Sequence, residues 1–522
     1  MKREKKMNGR LALTLICVLT LLATLLAGCG SSSGGGKTPG TEGGASTAPT
    51  PENSVEPSKL SPLKLSIMTQ IYGTDLPKKS EAVYKELEKR TNTDLDLTFV
   101  NSSAYDDKFN VTLASGNLPN VIRVLNPKQS NFVAATESDA IWDLEPYIKD
   151  YPNLAAINPK VMEASKINGK LYGLPFLLEV SPRAIAIRKS WLEKVGLDAP
   201  ETIEDFYNVL KAFKEQDPDN NGKADTYGMA EMGNPDLEGL LTMSPYFGAP
   251  VSWGVQDGKL IPEFMTTEFF ETLQFFKKLF DEKLISPDFA ILNKQQKQDK
   301  LINGEAGVYV GPSGDIKAIN QKTNELLGAA PETEQYVVVN ALAGSHGKKS
   351  MGTGGFWGIY AFTKSIKTAE DLKRVLAFYD YTYSKEGADL LQWGIEGTHH
   401  RLEEGKAIKG EAFGLEKLNG GYRYIGSNIL YHGTQPKLTP FEAKLTEAVQ
   451  ENESIAVFNP VQPYISKTYS TKGSDLDKII EDAYVKFIMG QIDESGWEKA
   501  IESWQKNGGT QVIEEYTEVY NK

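Results

Sequence analysis

Cysteine is almost absent from this chain of 522 residues, which contains only Cys17 and Cys29. Both lie near the N-terminus, so residues 30–522 carry no thiol. Disulfide bonds, thiolate metal sites and cysteine nucleophiles are therefore excluded from nearly the whole chain.

Histidine and excess positive charge are also scarce. The chain has four histidines, His346, His399, His400 and His432, and none of them forms a His-Glu-x-x-His zinc motif. Residues 63–522 contain neither a Gly-x-Ser-x-Gly elbow nor a phosphate-binding glycine loop, and we predict no catalytic residue. The 69 acidic residues outnumber the 57 basic ones, and no basic stripe occurs. Nucleic acid is therefore not an expected partner.

The long apolar run is confined to the N-terminus. Residues 1–10 carry five Lys or Arg, and residues 11–27 carry no charge. With small residues before Cys29, this pattern predicts a signal peptide over 1–28. The alternative is an uncleaved membrane anchor, because the run is just long enough to span a bilayer. The ending Leu-Ala-Gly-Cys resembles the lipobox of bacterial lipoproteins, which implies that Cys29 carries a diacylglycerol.

Residues 29–62 are dominated by Ser, Gly, Thr, Pro, Ala and Glu. Such a composition cannot bury enough apolar surface to fold, so we predict a disordered linker. Linkers of this kind after a lipobox are commonest in Gram-positive lipoproteins. The resemblance therefore implies a protein tethered by lipid to the outer face of the cell membrane.

The remaining residues are too many for one hydrophobic core, and we expect two or three domains. Short apolar runs alternate with amphipathic helices, which predicts an α/β fold. The pattern begins β-α-β-α-β over residues 63–125. A glycine hairpin follows at 168–175, a strand is predicted at 356–362, and the last predicted helices cover 475–489 and 495–506.

The order of several motifs resembles the extracellular solute-binding proteins of bacterial ABC importers, in the large lipoprotein branch associated with oligosaccharides. The motifs are Gly169–Pro175, Ile187–Leu197, Asn303–Gly307 and Gly394–His399. The resemblance implies a two-lobed periplasmic-binding-protein-like fold of type II, without enzymatic activity, with the ligand held between the lobes. It also implies ABC permease subunits as partners of a monomeric receptor.

The resemblance further implies lobes that are discontinuous in sequence. We place lobe 1 at 63–182 plus 340–395, and lobe 2 at 183–339 plus 396–522.

An aspartate-rich loop has the spacing of an EF-hand-type calcium site. Oxygen ligands fall at positions 1, 3, 5, 7 and 9 of that motif, where position 7 offers a backbone carbonyl. The residues are Asp217, Asp219, Asn221, Lys223 and Asp225. Position 12 is Gly228 rather than the usual glutamate. Alginate-oligosaccharide binders of the resembled family hold structural calcium in a similar loop. The alternative is a polar turn without an ion.

Sugars present apolar C–H faces edged by hydroxyls, so their sites combine aromatic rings with hydrogen-bonding side chains. The chain has 23 Tyr and 7 Trp. For each candidate, ordinary packing or an exposed loop is the competing interpretation. The candidate ligand-binding residues are Tyr72, Asp75, Tyr172, Trp253, Phe356, Trp357, Trp393, Glu396 and His399.

We therefore expect a lipid-anchored receptor that captures a carbohydrate, in particular an oligosaccharide, for a membrane permease. Two alternatives stay open: a receptor for a peptide or another polar solute, and an extracytoplasmic glycoside hydrolase, since carboxylate pairs occur in any chain this acidic.

Overall fold

The N-terminal β-α-β-α-β pattern folds as the sequence predicts. The computed structural model describes residues 61–71, 76–233, 237–415, 421–426 and 433–522. The predicted signal peptide, nearly all of the linker, the lipidation site Cys29 and the candidates Tyr72 and Asp75 lie outside the described residues.

The described strands are short, and several come late in the chain. They are β1 Leu63–Ile71, β2 Thr93–Asn101, β3 Val121–Val124, β4 Gly173–Leu177, β5 Arg183–Arg188, β6 Tyr227–Ala230, β7 Trp253–Gln256, β8 Lys259–Pro262, β9 Ala306–Pro312, β10 Tyr336–Val339, β11 Ala343–Gly344, β12 Gly347–Lys348, β13 Ser350–Met351, β14 Phe356–Phe362, β15 His400–Glu403, β16 Lys406–Lys409 and β17 Ala456–Val457.

Helices separate most of these strands and form the C-terminus. They are α1 Ala82–Thr91, α2 Ser102–Ser115, α3 Ser130–Glu137, α4 Pro152–Ala155, α5 Pro159–Ser165, α6 Lys189–Val195, α7 Ile203–Glu215, α8 Glu238–Met243, α9 Thr267–Asp281, α10 Lys294–Ile302, α11 Ser313–Leu327, α12 Ala369–Tyr383, α13 Lys385–Trp393, α14 Glu411–Leu415, α15 Pro440–Ser454, α16 Lys467–Ile488, α17 Glu494–Trp504 and α18 Thr510–Tyr520.

Two larger sheets organise the fold. The five-stranded sheet has the order β2-β1-β3-β14-β4, with β1 parallel to β2 and β3, and β14 antiparallel to its neighbours. The four-stranded sheet has the order β10-β5-β9-β6, with only β6 and β9 parallel among its pairs. Because β14 follows every strand of the second sheet, the first sheet is discontinuous in sequence. The two-lobed α/β expectation is confirmed.

Helix α7 shows how local sequence and packing agree in the second sheet's core. Its N-cap Thr202 accepts a hydrogen bond from the Asp205 N–H at 3.1 Å, and the Asp205 carboxylate accepts one from the Thr202 N–H at 3.0 Å. This capping box satisfies two backbone donors that the helix itself cannot. Phe206, Leu210 and Phe213, spaced by three or four residues, bury one face of α7.

The segment around β15 and β16 packs with the five-stranded sheet. Ala407, Phe413 and Tyr422 are buried in the same core as Leu65 and Tyr360. The lobe boundaries remain a prediction, and this packing favours moving the segment from the second lobe to the first.

Three chain segments lie side by side at the junction between the sheets: 178–182, 350–353 and 455–457. The Thr353 N–H donates to the Val180 carbonyl at 2.7 Å, and the Gly352 N–H donates to the Val457 carbonyl at 2.9 Å. The backbone of each segment is thus hydrogen-bonded to another, which defines the connection about which two lobes can move.

Within the described ranges, no helix combines the length and the apolar composition that crossing a bilayer requires.

Candidate ligand-binding site

Two adjoining chambers lie beside α16. The outer chamber has a volume of about 700 Å³ and extends from Asn126–Ser130, which follow β3, to the first half of α16. The inner chamber has a volume of about 180 Å³ and extends from α16 to Trp253 and Trp504. Tyr469, Asp477 and Glu481 line both chambers. The site therefore joins a loop of the first sheet to helices packed on the second.

The sequence places these side chains by two simple rules. Residues 126–130 follow the carboxyl end of β3, the edge at which α/β sheets bind ligands. On α16, Tyr469, Asp477 and Glu481 follow a four-residue spacing, so they share one helix face. Ser466 caps this helix by accepting a hydrogen bond from the Tyr469 N–H at 2.9 Å.

The carboxyl groups of the inner chamber are partly buried. The Tyr469 hydroxyl donates to Oδ2 of Asp477 at 2.7 Å, and burial raises the pKa of Asp477. Oε2 of Glu263 accepts a hydrogen bond from the Ser252 N–H at 2.7 Å. Burial raises the pKa of Glu263 from 4.5 to about 7, because removal from water disfavours the charged form.

Lys128 supplies a positive charge to the outer chamber. Its Nζ donates to the Val461 carbonyl at 3.1 Å, and burial lowers the pKa of this lysine to about 8. The loss of hydration destabilises an ammonium just as it destabilises a carboxylate.

Aromatic rings form the apolar walls of the inner chamber. The Trp253 ring meets Tyr516 edge-on at 5.1 Å between centroids, and the Phe264 ring meets Trp504 in the same way at 5.1 Å. Apolar ring surfaces beside hydroxyl and carboxyl groups match the alternating apolar and polar surfaces of a sugar. The chambers therefore combine the two kinds of surface that a carbohydrate-binding site needs.

The sequence candidates occupy three separate places. Trp253 lines the inner chamber. Tyr172 and Phe356 pack against the small core of the first sheet. Trp357 lies near them beside the junction, its ring edge-on to Phe176 and its carbonyl accepting a hydrogen bond from Arg123 at 2.8 Å.

The last three candidates cluster at the end of α13 and do not line either chamber. Trp393 is buried, and its Nε1 donates to the Thr434 carbonyl at 2.8 Å. Nδ1 of the buried His399 accepts from the Ile395 N–H at 2.9 Å, whereas Glu396 is exposed. Ligand contact by any of the nine candidates stays a prediction.

Sequence reasoning missed the residues of α16, together with Glu263 and Lys128. For α16 the sequence shows an ordinary amphipathic pattern, which predicts a helix but does not distinguish Tyr469, Asp477 and Glu481 from its other polar residues. Nothing in the sequence around Glu263 distinguishes it from the other acidic residues, of which the chain has 69 in all.

The aspartate-rich loop is exposed, and Asn221 ties it together. Nδ2 of Asn221 donates to Asp219 at 2.7 Å and to Asp225 at 3.1 Å. The Asp217 carboxylate accepts from the Gly222 N–H at 2.9 Å. In the part of the chain that the structure describes, no three His, Cys, Asp or Glu side chains converge closely enough to hold a metal ion. The donor oxygens are nevertheless of the kind that calcium prefers.

Comparison with known proteins identifies the fold family. Residues 73–389 match the bacterial extracellular solute-binding protein family. The chain belongs to this family. It is 38% identical to lipoprotein LipO of Bacillus subtilis (strain 168), over 87% of this chain and 92% of LipO. It is 35% identical to the polygalacturonan/rhamnogalacturonan-binding protein YtcQ of the same organism, over 88% of this chain and 92% of YtcQ.

Solved structures agree on the fold. The solute-binding protein associated with an HMO-binding ABC transporter of Bifidobacterium longum infantis superimposes with a TM-score of 0.68 at 18% identity, over 88% of this chain and 99% of that one. An EF-hand mutant of the substrate-binding protein FusA of S. pneumoniae, in complex with fructo-nystose, gives 0.59 at 21% identity, over 88% and 99%.

Proposed function

We propose that this protein is the lipid-anchored receptor of an ABC importer, which binds an oligosaccharide in the two chambers and delivers it to the permease. One observation carries the proposal: along α16, the aromatic walls of the inner chamber adjoin the hydrogen-bonding groups of the outer chamber, which reaches Asn126–Ser130. Family membership and the similarity to YtcQ, a polygalacturonan/rhamnogalacturonan-binding protein, support a carbohydrate ligand.

Ligand binding favours closure of the lobes. A glycan that contacts both the loop after β3 and α16 has more partners in a closed arrangement than in an open one. A ligand shifts such an equilibrium only through this difference in affinity. The protein therefore needs to bind and release its ligand, and no bond of the ligand has to break.

The lipid on Cys29 would hold the receptor at the outer face of the membrane. The name of LipO, a lipoprotein, supports this proposal. A tethered monomer would meet its permease repeatedly without diffusing away.

A structural calcium ion at the aspartate-rich loop is the remaining part of the proposal. Asp217, Asp219, Asn221 and Asp225 would supply side-chain oxygens, and Lys223 its backbone carbonyl. The presence of an EF-hand in FusA supports it. The ion would fix this exposed loop and would take no part in glycan chemistry.

Titration of intrinsic tryptophan fluorescence with a glycan panel tests the function, because Trp253 and Trp504 line the inner chamber. We expect saturable binding of an oligosaccharide, weakened at least tenfold by Tyr469→Ala. The control is Tyr520→Ala, a 38% exposed tyrosine outside both chambers, which should leave the affinity unchanged. Failure of every glycan to bind, or steady release of cleavage products, would refute the receptor function.

A further inference from the structure

The described lining of the inner chamber holds three acidic side chains and no basic one. Its charged lining residues are Glu263, Asp477 and Glu481, and no Lys, Arg or His is among the described residues that line it. In the outer chamber the described lining adds one cation, Lys128, opposite Asp477 and Glu481. Across both chambers, carboxyl groups therefore outnumber cations, and no described arginine faces the space.

Two of these carboxyl groups make no ion pair within the described part of the chain. Asp477 accepts its hydrogen bond from the Tyr469 hydroxyl, and Glu263 accepts one from the Ser252 N–H. Both donors are uncharged. The raised pKa of each carboxyl group has burial as its largest cause. Where these two groups are ionised, an additional negative charge in this space would meet two carboxylates that make no ion pair with a described residue.

A site that recognises a carboxylate ordinarily presents cations rather than acidic side chains. Proteins bind carboxylates through the planar fork of arginine or through a lysine point charge, and like charges brought together at a binding site oppose association. A sugar hydroxyl behaves differently, because it both donates and accepts hydrogen bonds and can pair with a carboxyl group in either protonation state.

We infer that the chambers select an uncharged oligosaccharide and reject one whose sugars carry carboxylates. This inference rests on the proposed function as a glycan receptor and adds the charge class of the ligand. It also separates the chain from YtcQ, a polygalacturonan/rhamnogalacturonan-binding protein, because polygalacturonan is a polymer of acidic sugars.

Lys128 is the one described group that could reverse this selectivity. Its ammonium already donates to the Val461 carbonyl, and it lines only the outer chamber. If Lys128 binds a glycan carboxylate, the variant Lys128→Met should bind that acidic glycan more weakly. This variant therefore tests the alternative that the chambers select acidic glycans.

The experiment compares matched ligands on the full-length receptor by calorimetry at pH 8, above the pKa of Glu263. The first ligand is a neutral oligosaccharide that binds in the fluorescence panel, and the second is the same glycan oxidised at its primary hydroxyls to uronates. We expect the oxidised form to bind at least tenfold more weakly. The double variant Glu263→Gln, Asp477→Asn should reduce this difference in affinity between the two ligands at least threefold, because it removes both charges at nearly constant shape.

The control for net charge is Asp257→Asn, Glu502→Gln, which neutralises two exposed acids outside the chambers and should leave this difference unchanged. The inference is overturned if the oxidised glycan binds as tightly as the neutral one. It is also overturned if only uronate oligosaccharides bind, above all if Lys128→Met abolishes that binding; the receptor function would survive both results. If no glycan of either class binds, the proposed function and the inference fail together.

Discussion

Nζ of Lys297 lies 3.4 Å from Oε1 of Glu231, and neither side chain is exposed to solvent. The same ammonium lies 3.2 Å from Oε2 of Glu238 and donates to the Val310 carbonyl at 2.9 Å. Burial raises the pKa of Glu231, while the charge of Lys297 opposes that rise. Lys297 on α10 thus pairs with Glu231 and shares Glu238 with Arg183, whose Nη1 lies 3.5 Å from Oε1 of Glu238.

We predict that Lys297→Met lowers the free energy of unfolding by about 3–5 kcal/mol, because it leaves the buried Glu231 carboxylate without its counter-charge, while Glu238 keeps Arg183 at 3.5 Å. Urea unfolding at neutral pH, followed by circular dichroism, measures this loss. The matched control is Lys294→Met on the same helix, whose side chain is 50% exposed in its ion pair with Asp315. An exposed pair contributes about 0–1 kcal/mol. Equal effects of the two substitutions would contradict the assignment of a buried charge cluster.

Periodicity predicted most of the fold where burial is regular. The strand expected at 356–362 is β14, and the helix expected at 495–506 corresponds to α17. Strands β6 and β10, of four residues each, were missed because such short runs hold too little pattern to separate strand from loop.

Helix α16 begins at Lys467, before the expected start at 475, and the reason is tertiary. Its first residues are rich in Ser, Thr and Gly, which are poor helix formers. The distant Glu515 carboxylate stabilises this start by accepting hydrogen bonds from the Thr468 N–H at 3.0 Å and the Thr468 hydroxyl at 2.8 Å. No local sequence pattern predicts this contact between Glu515 and Thr468.

The candidate site also depends on contacts between residues that are distant in sequence. Trp253 was predicted from its residue type, whereas Glu263 and Asp477 come together only because the β7–β8 hairpin packs against the C-terminal helices. Acid residues are common in this sequence, so only the fold distinguishes these two from the others.

We predict that Gly173→Ala destabilises the protein by about 1–3 kcal/mol. A Cβ at this position would lie 2.5 Å from the Tyr360 carbonyl oxygen, so β4 would have to move away from β14. Gly314→Ala in α11 is the control, because its Cβ would meet no atom within 4 Å. That control should be neutral or slightly stabilising, since alanine favours the helix. Thermal unfolding measures the melting temperatures of both variants. A Gly173→Ala variant as stable as wild type would show that β4 and β14 are not this close.

Calcium should raise the melting temperature of the wild-type protein after metal removal. A ligand that binds only the folded state, at a hundredfold excess over its Kd, adds about 2.7 kcal/mol. The double variant Asp217→Asn, Asp225→Asn should lose this response, because it removes two of the charged ligands. The control variant Asp257→Asn, in the exposed turn between β7 and β8, should still be stabilised by calcium. A wild-type protein shown to be metal-free but indifferent to calcium would refute the proposed ion.

Glu263 should make the protein less stable as the pH rises from about 4.5 to about 7. Below this window the carboxyl group is protonated in both the folded and the unfolded state; within it, the folded protein keeps a proton that the unfolded chain releases. Raising the pH therefore favours unfolding, by about 3 kcal/mol at most. Glu263→Gln abolishes this contribution, so the stability of the variant relative to wild type should increase between pH 5 and pH 8. Glu502→Gln, with a side chain that is 61% exposed, should show the same difference from wild type at both pH values. Urea unfolding of the three proteins at the two pH values measures these differences, and a difference for Glu263→Gln that does not change with pH would mean that this carboxyl group is hydrated in the folded protein.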